Sequence, residues 1–414
     1  MTSTPPSKGQ LERVLIAGGG IGGIATALAL AKRGIASTVL ERRLIFGEDG
    51  AGIQIGPNGT RILGELGAAA FLRSRVTVPD GLRVLDATTA RPLAAFPLGR
   101  WIAERHGAPY WTAHRRDLHN ALLSAAERES LIKIRMGFDV TSVSDEGDGV
   151  TATSANADDC RGDVLIAADG AWSALRSRAF GGAAPAYTGK CAVRVVLPIE
   201  DVPEALNRTE VHLWLGRDVH VVHYPVQAGH AVALVVVFDD RHVTTDWSTS
   251  CDTAWVSGRT TGFAPLLREL LARPDEWRRW SLMTLRHSPR LAVGRLALLG
   301  DAAHPVMPFL AQGGVMALED AVVVADTLAA DRADPPRALK AYERARRSRV
   351  QRVARASRLN GRIYHLGGLP ADARNFAFTR MSADRFMRRF DWLYGWTAPQ
   401  TASHQPVTPS ASSE

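Results

Sequence analysis

The stretch Val14-Leu15-Ile16-Ala17-Gly18-Gly19-Gly20-Ile21-Gly22-Gly23-Ile24-Ala25 decides the fold. Val14–Ala17 reads as a buried strand, the glycines as a tight turn, and Gly22–Arg33 as a helix. Ser37–Glu41 supplies a second strand, so the chain opens strand-helix-strand, the usual start of a parallel sheet. Gly18, Gly20 and Gly23 stand at G-x-G-x-x-G spacing. Such glycines let the backbone approach a pyrophosphate closely, and the helix N-terminus then stabilises its charge. Glu41 ends the second strand, where a carboxylate grips ribose hydroxyls, and Arg42 beside it is assigned to the same end. The uncharged run from Val14 to Ala31 also imitates a signal peptide or a membrane span. Its glycines would make a poor membrane helix, whereas strand, turn and helix account for the whole run. A chain without a targeting segment, located in the cytoplasm, is the expectation.

Outward from this start, 414 residues are too many for one simple core and few for three, so two closely joined domains are expected. Hydrophobic content of 46% and charged content of 22% belong to a globular protein and exclude wholesale disorder. The net charge of +8 arises from 50 Lys+Arg against 42 Asp+Glu. It suits an anionic small molecule as well as nucleic acid. The most basic stretch carries Arg344, Arg346, Arg347, Arg349, Arg352, Arg355 and Arg358. It reads as the solvated face of a long helix whose inner face holds Tyr342, Val350, Val353 and Ala356, not as a nucleic-acid stripe. Cys160, Cys191 and Cys251 are scattered, make no metal-ligand spacing and fit a reducing compartment.

The organisation reads as a mixed α/β fold: a Rossmann-like nucleotide domain interrupted by a sheet and followed by helices. Residues 11–185 and 286–335 form the first domain, 186–285 a mostly antiparallel substrate domain, and 336–398 the C-terminal helices. The polar, Pro/Ser-rich ends 1–10 and 399–414 read as disordered tails. Pro57-Asn58 opens a short helix ending at Gly67, with Asn58 as its cap; Asp117–Glu129 is a further helix, and Val164–Ala168 and Arg295–Leu299 are buried strands. The valine-rich runs Lys190–Leu197, Val219–Pro225 and Ala231–Phe238 build the inserted sheet.

Two later segments extend the nucleotide site. Asp169-Gly170 ends an apolar strand, with Arg176 following. Gly300-Asp301-Ala302-Ala303-His304-Pro305 ends another and leads through Pro308 to Gln312-Gly313-Gly314-Val315 at a helix start. Asp301 suits a ribose or ribityl hydroxyl, and the amides of Gly313, Gly314 and Val315 suit a flavin edge where negative charge collects on reduction. His304 is expected to order its loop.

With these motifs in order, the chain resembles the FAD-dependent aromatic hydroxylases typified by p-hydroxybenzoate hydroxylase, and more closely the salicylate and 3-hydroxybenzoate 6-hydroxylase branch. The resemblance runs from Val14 to about Trp396. It rests on the glycine fingerprint, Gly50-Ala51-Gly52-Ile53-Gln54-Ile55-Gly56-Pro57-Asn58, His114-Arg115-Arg116-Asp117-Leu118, the Asp169-Gly170 segment, and Gly300 through Asp320. It implies bound FAD held by Gly18, Gly20, Gly23, Glu41, Gly52, Arg115, Asp169, Asp301, Pro308 and the Gly313–Val315 amides. It also implies NADH or NADPH as a transient co-substrate, O2, a flavin C4a-hydroperoxide and hydroxylation of a small anionic phenol. A monomer or homodimer, with neither nucleic acid nor membrane as partner and no metal, completes the expectation.

A base near the ring raises its electron density by taking the phenol proton, a contribution of roughly 10²–10⁴-fold. Val219-His220-Val221-Val222-His223-Tyr224 is the candidate segment. Alternation puts His220, Val222 and Tyr224 on one face and His223 on the other, with His220 and Tyr224 about 13 Å apart. The spacing resembles the pair implicated as base and substrate contact in hydroxybenzoate and hydroxynicotinate hydroxylases. Gln312 falls where the resemblance suggests a contact near flavin and substrate. Gln54, Arg194 and Pro308 join Val222 as substrate contacts, Arg194 as a carboxylate partner. Gln54 replaces a histidine of the hydroxynicotinate enzymes, and Val193 replaces a tryptophan common in the salicylate-like pattern. The alternatives are a hydroxylase of hydroxypyridines or of larger aromatics, and a non-hydroxylating flavoprotein redox sensor. A halogenase is disfavoured because its W-x-W-x-I-P segment does not occur.

Overall fold

The computed structural model describes residues 11–47, 51–182, 184–243 and 249–399; both expected tails, save residue 399, and Gly50 of the second motif lie outside these. The opening strand is Arg13–Ala17. Its helix is Ile21–Ala31, buried on nearly every side, and the second strand is Ala36–Glu41. They belong to a six-stranded sheet ordered Ala292–Val293, Leu296–Leu298, Val164–Ala167, Arg13–Ala17, Ala36–Glu41, Ile132–Met136, parallel except at the first edge. Central strands buried on both faces need uniformly apolar runs, which is why Val14, Leu15 and Ile16 can sit fully buried.

Gly18 and Gly23 explain the turn. Gly18 has φ +105°, and a Cβ there would lie 2.5 Å from the Ala168 carbonyl oxygen. A Cβ on Gly23 would lie 1.9 Å from the Gly18 carbonyl oxygen. The first helix can therefore start directly against the strand end only with glycine at both places.

The second sheet has eight strands in the order Thr249–Asp252, Glu276–Thr284, Ala186–Pro198, Ala231–Asp239, Val219–Val226, Glu210–Gly216, Gly81–Asp86, Pro92–Pro97. Its centre is antiparallel, as the valine runs suggest, but Glu210–Gly216 and Gly81–Asp86 pair in parallel. The sheet thus recruits a hairpin from inside residues 11–185, which a reading by contiguous segments assigns to the nucleotide domain. The Asp86 carboxylate closes that hairpin, accepting from the Thr88 and Thr89 amides at 3.0 Å.

Two helical expectations change. The helix opened by Pro57 runs to Glu65 with Gly56 as its N-cap. Asn58 lies inside it, and its Nδ2 donates to Glu319 Oε1 at 2.8 Å and Gln312 Oε1 at 3.0 Å. A buried amide opposite a carboxylate is better used there than as a cap. The basic helix is Pro335–Tyr364, and two of its arginines are not solvated: Arg346 and Arg349 are buried against Glu319 and Asp320. Their charges neutralise the acidic pair on helix Gly313–Ala330. Among the described residues, no helix is long and apolar enough to cross a membrane, and no cluster of side chains could hold a metal ion.

Candidate active site

One cavity of about 360 Å³ runs between the two sheets. At the nucleotide end it is lined by Gly20, Gly22, Gly52, Arg115, Asp301, Gly313 and Gly314, and at the other by Gln54, Arg194, His220, Val222, Tyr224 and Trp280, with Pro308 in between. Strand, helix and loop ends from distant parts of the chain converge here because the eight-stranded sheet turns one face to the nucleotide domain.

The nucleotide end is built to receive a polar chain. A Cβ on Gly20 would meet nothing within 4 Å, so the start of the first helix is open. Glu41 Oε2 accepts from the Gly19 amide at 2.7 Å and thereby shapes the turn from beneath. Arg115 and Asp301 face the cavity without a side-chain hydrogen bond among the described residues. Burial raises the Asp301 carboxyl, against the opposing pull of Arg115. Asp169 lies just behind the lining residues Ala168 and Gly170, and its buried Oδ1 has no partner. Open backbone, a free guanidinium and unused carboxylate oxygens are what the phosphates and hydroxyls of FAD require.

The loop carrying Asp301 is fixed from below. Asp320 Oδ2 accepts from the Gly300 amide at 2.9 Å and lies 2.6 Å from His304 Nε2, while Oδ1 accepts from Arg346 Nε at 2.6 Å. Burial opposes the charge on Asp320, but His304 and Arg346 hold its carboxyl far below the usual range. His304 orders the loop in this way. Gln312 does not line the cavity; it is buried behind it, accepting from Asn58. Gly18, Gly23 and Val315 likewise support the wall from behind, and Arg42 is exposed.

The other end follows from register. Arg194 pairs with Val235, which pairs with Val222; His220 pairs with Val237 and Tyr224 with Ala233. Residues opposite one another share a face, so Arg194 stands two strands from Val222, midway between the rungs of His220 and Tyr224. Strand spacings of about 4.8 Å laterally and 3.3 Å per residue put its Cα about 12 Å from each of theirs. Side chains reaching inward from such a triangle bracket one six-membered ring. His223, on the opposite face, stacks on His212 with ring centroids 4.6 Å apart.

Hydrogen bonds and burial set the electrostatics. Gln54 Oε1 accepts from the Tyr110 hydroxyl at 2.7 Å, and Gln54 also pairs with the Tyr224 hydroxyl. Gly52 has no side chain where a Cβ would stand 2.7 Å from the Tyr224 hydroxyl oxygen. Burial keeps the Tyr224 phenol protonated well into the alkaline range. Burial, and then the neighbouring His365 and Lys190, hold His220 well below the ordinary imidazole value, so it is neutral. Its Nδ1 lies 2.8 Å from His365 Nε2. The Arg194 guanidinium lies 4.5 Å from the Trp280 ring centroid.

Sequence reasoning missed Trp280, Tyr110, Val235, Val237 and His365. The two valines were legible from alternation along Ala231–Phe238. Trp280 lies opposite Ala192 on the strand paired with Ala186–Pro198 and supplies an indole beside Arg194, on the face opposite to Val193. His365, one residue past the long helix, carried no signal.

A cavity with a dinucleotide cradle at one end and a ring-sized pocket at the other defines a flavin-dependent oxidoreductase acting on aromatic compounds. The chain belongs to the FAD-binding-domain family, whose model matches residues 12–357. It is 36% identical over 383 residues to a 3-hydroxybenzoate 6-hydroxylase of Polaromonas naphthalenivorans (92% of this chain, 96% of that one). It is 34% identical over 392 residues to a 3-amino-4-hydroxybenzoate 2-monooxygenase of Streptomyces platensis (94% and 98%). Among solved structures, a salicylate hydroxylase substrate complex superposes with a TM-score of 0.79 at 27% identity, covering 94% of this chain and 97% of that one. Klebsiella pneumoniae HpxO with FAD and uric acid gives 0.80 at 26%, covering 91% and 95%. The chain is an FAD-dependent aromatic monooxygenase with a Rossmann-like domain, an inserted sheet and C-terminal helices.

Proposed function

We propose that this enzyme hydroxylates a small phenolic carboxylic acid of the 3-hydroxybenzoate or salicylate type, consuming NADH or NADPH and O2. The carrying observation is the pocket triangle: a cation at Arg194 and a neutral base at His220, on one face of one sheet. Bound flavin supplies the reduction of oxygen and its electrophilic delivery to the ring. Gly20, Gly52, Arg115, Asp169, Asp301 and the Gly313-Gly314 amides would hold it, with Glu41 shaping the turn beneath. Arg194, supported by Trp280, would pair with the carboxylate. His220, neutral at working pH, would accept the phenol proton at Nε2, the nitrogen not engaged with His365. Tyr224, protonated and tied to Gln54, would orient the ring as a donor. Val222, Val235 and Val237, which line the pocket, would exclude water from it. Unpaired cysteines support a reducing, cytoplasmic setting.

The test is the absorbance of the purified protein, followed by NADH and NADPH oxidation against hydroxybenzoates and hydroxypyridines. Flavin bands, with a hydroxybenzoate accelerating oxidation and yielding an oxygenated product, support the reading. Stimulation by hydroxypyridines alone refutes the carboxylate assignment, and flavin without stimulated turnover favours a sensor.

A further inference from the structure

The candidate base is the inner end of a continuous hydrogen-bonded chain. From His220 Nδ1 the path runs 2.8 Å to His365 Nε2, and from His365 Nδ1 a further 2.8 Å to Asp239 Oδ1. His220 and His365 are buried, whereas the Asp239 side chain is 47% exposed. Lys190 Nζ lies 3.0 Å from His365 Nδ1 and is paired with Asp239. The chain therefore starts at the wall of the ring pocket and ends in water. The His220 ring packs edge-on against Phe309 and Tyr364, with centroids 5.4 and 5.3 Å away.

We propose that His365 and Asp239 form a proton outlet that carries the substrate's phenolic proton from His220 to solvent; this rests on the site reading above. Asp239, as a carboxylate, accepts from His365 Nδ1–H, which leaves His365 Nε2 to accept from His220 Nδ1–H. His220 Nε2 then presents a bare lone pair to the pocket. On transfer, the phenol O–H bond breaks and its electron pair stays on the oxygen as phenolate. An N–H bond forms at His220 Nε2, the Nδ1 proton passes to His365 Nε2, and the His365 Nδ1 proton passes to Asp239 and on to water. Each imidazole ends neutral with its tautomer exchanged, so no charge is left beside the ring. A histidine base without an outlet would remain an imidazolium in a site where burial opposes that charge.

The charged and titratable groups that face this chain are Lys190 from strand Ala186–Pro198, Asp239 from strand Ala231–Asp239, Tyr364 from the long helix, and Arg217 and Asp218 from the adjoining turn. The Asp218 amide donates to the His365 carbonyl at 3.2 Å. Lys190 beside Asp239 favours its ionised form, so the carboxylate passes the proton on instead of retaining it.

The experiment mixes the FAD-loaded enzyme rapidly with 3-hydroxybenzoate in weak buffer containing a pH indicator, while following the phenolate absorbance of the bound ligand. Wild-type enzyme should release one proton as the phenolate band rises. His365→Gln and Asp239→Asn should bind flavin and ligand within about twofold of wild type, yet release the proton roughly tenfold or more slowly. Asp239→Asn alters a half-exposed position and keeps the test open if His365→Gln fails to fold. Release at the wild-type rate by a folded variant overturns the outlet. A wild type that hydroxylates without releasing a proton on binding overturns the outlet and leaves the function standing. A wild type that neither binds nor oxidises any hydroxybenzoate overturns the site reading, and the outlet with it.

Discussion

Replacing Asp320 with asparagine isolates the buried support under the flavin-facing loop. Asp320 is fully buried and serves three donors: Arg346 Nε, His304 Nε2 and the Gly300 amide. An asparagine keeps the shape but has one acceptor oxygen and one NH2, so it must turn a donor toward either Arg346 or the His304 side. Removing one member of a buried ion pair costs about 3–5 kcal/mol. The low end applies, because Glu319 still lies 3.0 Å from Arg346. At about 2 cal/mol/K per residue, 414 residues give an unfolding entropy near 0.9 kcal/mol/K, so ~3 kcal/mol lowers the melting midpoint by about 3–4 °C. The pH dependence has a definite sign. The depressed Asp320 carboxyl contributes fully above the ordinary carboxylate value near 4, and its contribution fades as pH falls. Burial works against the His304 charge, yet Asp320 raises it overall, so its contribution is full below about 6.5 and is lost as pH climbs through the raised value. The gap between wild type and Asp320→Asn, read by thermal denaturation of the flavin-loaded proteins, should be widest between about pH 4 and 6.5. A gap equal at pH 5.5 and 9, or under about 1 °C throughout, would refute the account of this network.

Three further outcomes follow from the cavity. Arg194→Met should raise KM for a hydroxybenzoate by about 10–150-fold, matching a charged hydrogen bond of ~1.5–3 kcal/mol, while a phenol lacking the carboxylate is unaffected; equal losses for both would move the carboxylate elsewhere. His220→Ala should retain flavin yet hydroxylate about 10²–10⁴-fold more slowly, as measured by product formation in single turnover. Gly18→Val forces a side chain onto φ +105° with its Cβ 2.5 Å from the Ala168 carbonyl oxygen, so the purified protein should be colourless; a yellow preparation contradicts the pyrophosphate assignment.

What could be read from the sequence follows physical range. The glycine turn, Glu41 and the first strands are legible because they depend on local geometry: φ at Gly18, the contact of Gly23 with Gly18, a strand end next to a helix start. His220, Val222 and Tyr224 are legible because alternation is also local. The roles of Asn58, Arg346 and Arg349 were not, since each is set by Glu319 or Asp320 on a helix far along the chain. An arginine that neutralises a buried carboxylate looks in sequence like one on a solvated face. The hairpin Gly81–Pro97 escaped for the same reason, because its place is fixed by parallel pairing with Glu210–Gly216.

The site depends on register more than on any single residue. Arg194, Val222 and Val235 lie across three strands on one rung, while Val193, Val221 and Val236 occupy the next rung on the other face, in the core against helices Thr253–Arg259 and Pro265–Ala272. A slip of one residue in Val219–Val226 would carry His220 and Tyr224 out of the pocket and put His223 into it. That slip is opposed by the apolar far face: it would bring Val219 and Val221 out of their core, at about 1.5–3 kcal/mol for each valine exposed. The packing that holds the sheet on its helices is therefore what aims the base and the cation at the same ring. Substitutions on the helix side, such as Val221→Thr, should disturb catalysis through the register without touching the substrate.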